Sequence, residues 1–168
     1  MDATVAAIIC RDDARQVWVR AILWHPTKVA LRLSITTLID TGCGGGSYCS
    51  EAFINAVRDN CFHGDSIVSQ RGKGSLRAAN PTDSQIPPME VIGSVRLPLL
   101  FPPDDKVRII TFRVVRKLPY GCIVGASFLR QNASVLSFGN EGGFKPEPAS
   151  PWVPFVSNGV SPKLTLQK

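Results

Sequence analysis

Asp40 is the side chain most open to a chemical role. It stands in Asp40-Thr41-Gly42, directly after the apolar pair Leu38-Ile39 and directly before Cys43 and the glycine run Gly44-Gly45-Gly46. A hydrophobic strand that delivers a carboxylate to a glycine-rich loop offers a general base able to activate water. The same tripeptide also suits an Asx-type turn that closes a strand. Carboxylates that act as acid and base together do so in pairs, because like charges about 3 Å apart cannot both ionise and so share one proton. None of the other aspartates (Asp2, Asp12, Asp13, Asp59, Asp65, Asp83, Asp104, Asp105) is followed by Thr-Gly or Ser-Gly. Within one chain Asp40 therefore has no equivalent carboxylate in the same sequence context.

The remaining reactive groups make weaker patterns. The five cysteines, Cys10, Cys43, Cys49, Cys61 and Cys122, are odd in number and contain no C-x-x-C pair, which speaks against a disulfide framework and a zinc ribbon and for reduced thiols in an intracellular setting. A zinc site from Cys49, Cys61 and His63 fits no common ligand spacing, and a buried free cysteine is the expectation instead. A thiol nucleophile at Cys43 or Cys122 served by His25 or His63 has no support in the local sequence. No metal and no cofactor is called for. Arg71, Lys73 and Arg77 in Gln70-Arg-Gly-Lys-Gly-Ser-Leu-Arg77 form a basic loop, but it lacks the Gly-Lys-Ser/Thr of a phosphate-binding loop, and no aromatic residues interleave with the charges. A solvated basic face is expected there, and nucleic acid is not expected as a partner.

The elements that must hold Asp40 follow from composition and pattern. The chain has 168 residues, 44% hydrophobic and 19% charged, with a net charge of +6, which suits one globular domain with a sizeable core. Fourteen glycines and thirteen prolines favour turns and β structure over long helices. Two strands are expected at Val17–Leu23 and from Val29 through Ile39, broken at His25-Pro26-Thr27. Ser50 is placed to cap a short helix over 51–58. Residues 63–88 are polar and punctuated by glycine and proline, as a long loop or hairpin would be. Met89–Phe101 and Val107–Val115 read as a hairpin turning at Pro102-Pro-Asp-Asp105. Cys122–Gly125 reads as a strand, Ala126–Asn132 as a helix and Ala133–Phe138 as a last strand. Five prolines after Gly139 suit a linker or tail. No apolar stretch approaches the ~20 residues that span a bilayer, and the N-terminal apolar run lacks the positive region of a secretory signal.

In this order the pieces resemble the retropepsin-like aspartic proteases of retroviruses and long-terminal-repeat retrotransposons. The resemblance is carried by Leu38-Ile-Asp-Thr-Gly42, by Leu76-Arg-Ala-Ala-Asn80 with Met89-Glu-Val-Ile-Gly-Ser-Val95, and by Cys122-Ile-Val-Gly-Ala-Ser-Phe-Leu129. It implies an all-β fold, a closed retropepsin-like β-barrel with one short C-terminal helix, acting as a homodimer. It divides the chain into an N-terminal extension over 1–14, a protease domain over 15–138 and a proline-rich tail or linker over 139–168. Cys43 stands where the family commonly has Ala or Ser, and the glycine run is a residue longer than usual.

The resemblance also implies roles. Asp40 would be the catalytic residue of an aspartic endopeptidase, paired with its copy in a partner subunit. Thr41, Gly42 and Gly125 would support the active-site loop, and a flap from about Leu76 to Val91, including Ala78, Ala79 and Asn80, would close over a peptide or polyprotein substrate. The setting would be the cytoplasm or a retroelement particle. A catalytically silent, peptide-binding dimer of the same fold is the alternative.

Overall fold

The computed structural model describes residues 17–41, 46–57, 69–70, 74–76, 89–118, 120–138, 142–156 and 165–166. β-branched and aromatic residues give these segments mostly strand structure, with two short helices and one 3-10 turn. Strand β1 (Val17–Leu23) buries every residue but Arg20, and pairs antiparallel with β2 (Leu33–Asp40) from Val17↔Ile39 to Leu23↔Leu33. The second strand starts later than its apolar pattern suggests. Val29–Leu31 forms a 3-10 turn in which the Leu31 and Arg32 N–H groups donate to the Lys28 and Val29 carbonyls, while His25 Nδ1 accepts the Thr27 and Lys28 N–H groups.

β3 (Ser47–Ser50) leads into helix α1 (Glu51–Val57). As expected, Ser50 caps that helix: its Oγ accepts the Phe53 N–H at 3.0 Å, satisfying one of the donors that a helix start leaves open. α1 turns Phe53, Ile54 and Val57 into the core. The expected long hairpin is β6 (Met89–Leu100) with β7 (Val107–Val115), antiparallel from Val91↔Val115 to Leu100↔Val107 with an irregularity near Gly93. Two short strands, β4 (Ser69–Gln70) and β5 (Gly74–Leu76), also pair with β6. β8 (Cys122–Gly125) runs straight into helix α2 (Ala126–Gln131), which buries Ala126, Phe128 and Leu129.

The order β1-β2-β8-β3-β7-β6 is hydrogen-bonded strand to strand, and β1 pairs with β6 as well at Ile22↔Leu100 and Leu23↔Leu99. The path of pairings thus returns to its start around a common interior. That interior holds Val19, Leu23, Ile39, Leu97, Phe101, Phe112 and Val124. A second, smaller cluster of Trp18, Leu38, Tyr48, Val115, Leu118 and Ile123 covers the other side of the central strands.

Residues 142–156 differ from the tail that their prolines suggested. Following β9 (Val135–Ser137), β10 (Gly143–Lys145) and β11 (Val153–Pro154) complete a small three-stranded sheet. Phe144 and Val153 are fully buried in the main core, where the Phe144 ring meets Phe101 edge-on at 5.5 Å. β10 and β11 approach so closely that a Cβ on Gly143 would lie 2.6 Å from the Val153 carbonyl oxygen, so only glycine fits. Arg108, Asp104, Glu147 and Ser150 fasten the same segment to the β6–β7 turn, with Arg108 Nη1 2.7 Å from Asp104 Oδ2 and Nη2 3.2 Å from Ser150 Oγ. A final short strand, β12 (Thr165–Leu166), pairs with the start of β2. Among the described residues no helix is long and apolar enough to cross a membrane.

Candidate active site

β2 carries Asp40 to a protected place. Its burial alternates over Leu33–Thr36 and is continuous from Thr37 to Asp40, because both faces are covered where the strand ends. Ile39 faces the main core and Leu38 the smaller cluster. The neighbouring strand β8 is covered the same way, with Cys122 and Val124 on one side and Ile123 on the other. β2 and β8 run parallel, as Leu38↔Ile123, Ile39↔Val124 and Asp40↔Gly125, and parallel strands buried on both faces read as unbroken apolar runs. Asp40 itself is only 7% exposed, at the point where the apolar run ends.

Two buried side-chain hydrogen bonds hold this corner. Thr37 Oγ1 donates to the Cys122 carbonyl at 3.1 Å, tying β2 to β8 ahead of the aspartate. Ser47 Oγ accepts the Gly125 N–H at 3.0 Å, tying the start of β3 to the residue opposite Asp40. Gly46, immediately before Ser47, has φ +125°, a conformation that glycine adopts without strain. Neither Thr37 nor Ser47 was singled out from the sequence. The signal for Ser47 was its place as the first hydroxyl after the glycine run.

Of the expected site residues, Asp40 and Gly125 are brought side by side. Thr41 follows Asp40 in a turn, half-buried. Gly42 lies outside the described residues, as do Ala78, Ala79 and Asn80 of the expected flap. The base of that hairpin is described: β5 pairs with β6 as Gly74↔Val91, Ser75↔Glu90 and Leu76↔Met89.

The thiols of the neighbouring strands β3 and β8 are unsuited to nucleophilic work. Cys49 and Cys122 face each other across β3 and β8 and are both free and buried. Burial pushes the Cys122 thiol up to about 12, against a smaller opposing effect of the Thr37 hydroxyl. Burial, reinforced by the nearby Cys122, also raises Cys49 well above the ordinary thiol range. Neither thiol supplies thiolate at neutral pH, which removes Cys122 from the thiol-nucleophile alternative. Cys43 lies outside the described residues, as do Cys61 and His63 of the zinc alternative. Among those described, no three His, Cys, Asp or Glu side chains gather as a metal site would need.

No protein-family model matches the chain, and no curated protein sequence matches it. Its backbone is similar to the crystal structure of the retroviral protease-like domain of Ddi1 from Leishmania major, with a TM-score of 0.54 over 84% of this chain and 94% of that one, at 12% sequence identity. The likeness is one of fold: the chain has a retropepsin-like architecture.

Proposed function

We propose that the chain is an aspartic endopeptidase whose catalytic centre is a dyad of Asp40 side chains from two subunits. The observation that carries this reading is Asp40 at the end of a strand covered on both faces, opposite Gly125, in a retropepsin-like fold. In this reading the ionised Asp40 takes a proton from a water that attacks the scissile carbonyl carbon. The protonated Asp40 of the other subunit hydrogen-bonds the carbonyl oxygen and stabilises the tetrahedral intermediate. A proton then passes to the amine nitrogen as the C–N bond breaks, and the pair is left sharing one proton again. The catalytic domain would run on from the expected 15–138 to take in 142–156, whose Phe144 and Val153 lie in the main core, with the hairpin based on β5 and β6 laid over an extended peptide as an added strand. Thr41 would link the two loops across the dyad.

A twofold dimer is supported by the surface beside β9. Phe138 is 72% exposed and Val135 38%, the Phe138 ring lies 5.8 Å from that of Phe155, and among the described residues β9 pairs only with β10. An apolar patch next to an open strand edge suits a second copy. Processing of a polyprotein, in a retroelement setting, is the substrate class that the family resemblance implies.

The test is cleavage of a mixed peptide library between about pH 4 and 7, comparing the native chain with Asp40→Asn at concentrations that favour dimers. Cleavage by the native chain and its loss, by roughly a thousandfold or more, in the variant is expected. Two folded dimers that bind peptide but cut nothing would favour the silent peptide-binding alternative.

A further inference from the structure

The ladder between β3 and β8 has a gap beside Asp40, and a side chain fills it. These strands are antiparallel with Tyr48 opposite Ile123 and Cys49 opposite Cys122. One step along the same register, the Ser50 N–H donates to the Gly121 carbonyl at 3.0 Å, so Ser50 and Gly121 form a hydrogen-bonded pair. Such pairs alternate along an antiparallel ladder. The next ones toward Asp40 are Tyr48 with Ile123 and then Gly46 with Gly125. At that last position the ladder stops, because β3 begins only at Ser47 and Gly46, at φ +125°, has left the extended backbone. The Gly125 N–H, buried and turned toward β3, finds its acceptor in Ser47 Oγ at 3.0 Å instead.

We infer that Ser47 is a positioning residue for Asp40, an inference that rests on the reading of Asp40 as the catalytic carboxylate. Gly125 is the residue opposite Asp40 in the parallel β2–β8 pair and also the residue from which α2 starts. Its position is therefore shared by the aspartate strand and the helix. The Ser47 hydroxyl lets the chain leave the ladder one residue early without leaving the Gly125 N–H buried and unpaired, a condition that structures avoid. Without that oxygen the corner has to shift until the N–H reaches another acceptor, and Gly125 moves relative to Asp40. Displacements of about 1 Å at a catalytic group can cost on the order of a hundredfold in rate.

The experiment compares the native full chain with Ser47→Ala and Ser47→Thr. It measures kcat and KM per folded chain across about pH 4 to 7, and titrates the Asp40 carboxyl by carbon NMR. For Ser47→Ala we expect kcat to fall roughly tenfold or more with KM within about twofold, and the Asp40 titration and the pH profile of kcat to shift together. Ser47→Thr, which keeps the hydroxyl, returns both toward native. A folded Ser47→Ala protein with native kcat and native Asp40 titration overturns the inference. So does an equal deficit in the Ala and Thr variants. Should Ser47→Ala not fold, Ser47→Cys keeps the shape with a poorer acceptor and is expected to show the same shifts in smaller measure; native values in it count against the role. If the native chain and Asp40→Asn cleave alike, the protease reading fails on that comparison alone. The NMR titration then decides on Ser47, with an unchanged Asp40 in Ser47→Ala overturning it.

Discussion

At the scale of single residues, what surrounds Asp40 divides into groups that hold it and groups kept inert. Thr37 and Ser47 have their hydroxyls engaged by backbone partners of β8, so in the proposed reading they fix geometry and the carboxylate does the chemistry. Cys49 and Cys122 face each other on the neighbouring strands β3 and β8 but are buried as neutral thiols, Cys122 with its pKa near 12. Native protein at pH 8 should therefore leave both unmodified by iodoacetamide for hours, whereas unfolding in urea should expose them to alkylation within minutes. Peptide mapping by mass spectrometry reads the difference, and rapid labelling of either one in the folded chain would contradict their placement.

The elements that deliver these residues were legible in part. The apolar run through Leu38-Ile39 announced a strand ending at Asp40, and Ser50 with Glu51 announced the start of α1, because capping and period act locally. Two features were hidden. Val29–Leu31 looks like strand by residue type, yet turns as a 3-10 segment because the Lys28 and Val29 carbonyls are satisfied within the turn. Residues 142–156 look like a linker by their prolines, yet Phe144 and Val153 are core. That outcome depends on Phe101 and on Gly143 letting β10 meet β11, long-range contacts that no local pattern displays. Phe144→Ala should accordingly cost about 3–5 kcal/mol of stability, read as a lowered urea midpoint. A loss below about 1 kcal/mol would return the segment to the status of a tail.

For the molecule as a whole, the cluster at the β6–β7 turn ties stability to pH on the acid side. Burial works to raise the Asp104 carboxyl, but hydrogen bonds from Arg108 and the Lys106 N–H, with the Arg108 charge, outweigh it and hold the group below its ordinary value. Glu147 is held down chiefly by its hydrogen bond from Lys106. Both groups bind a proton less readily when folded than when unfolded. Their stabilisation is thus complete above the unfolded carboxyl values of about 3.9 and 4.3, and is lost as the pH falls through the lower folded values. The urea midpoint should drop between pH 6 and pH 3. Asp104→Asn should lose on the order of 1–3 kcal/mol at pH 6, since it removes the close carboxylate partner of the buried Arg108 and leaves it the partly exposed Glu147 at 3.5 Å, and show a smaller further drop at pH 3. An unaltered pH dependence in that variant would remove the cluster from this role.

The central claim is that one catalytic centre needs Asp40 from two chains. It is tested most directly by unfolding and refolding native and Asp40→Asn chains together in varying ratio at fixed total concentration, then measuring peptide cleavage. If both aspartates are required, activity follows the square of the native fraction, so an equal mixture retains about a quarter of the native rate. A linear decline, with about half the rate at equal mixture, would mean that each chain works alone and would contradict the shared dyad.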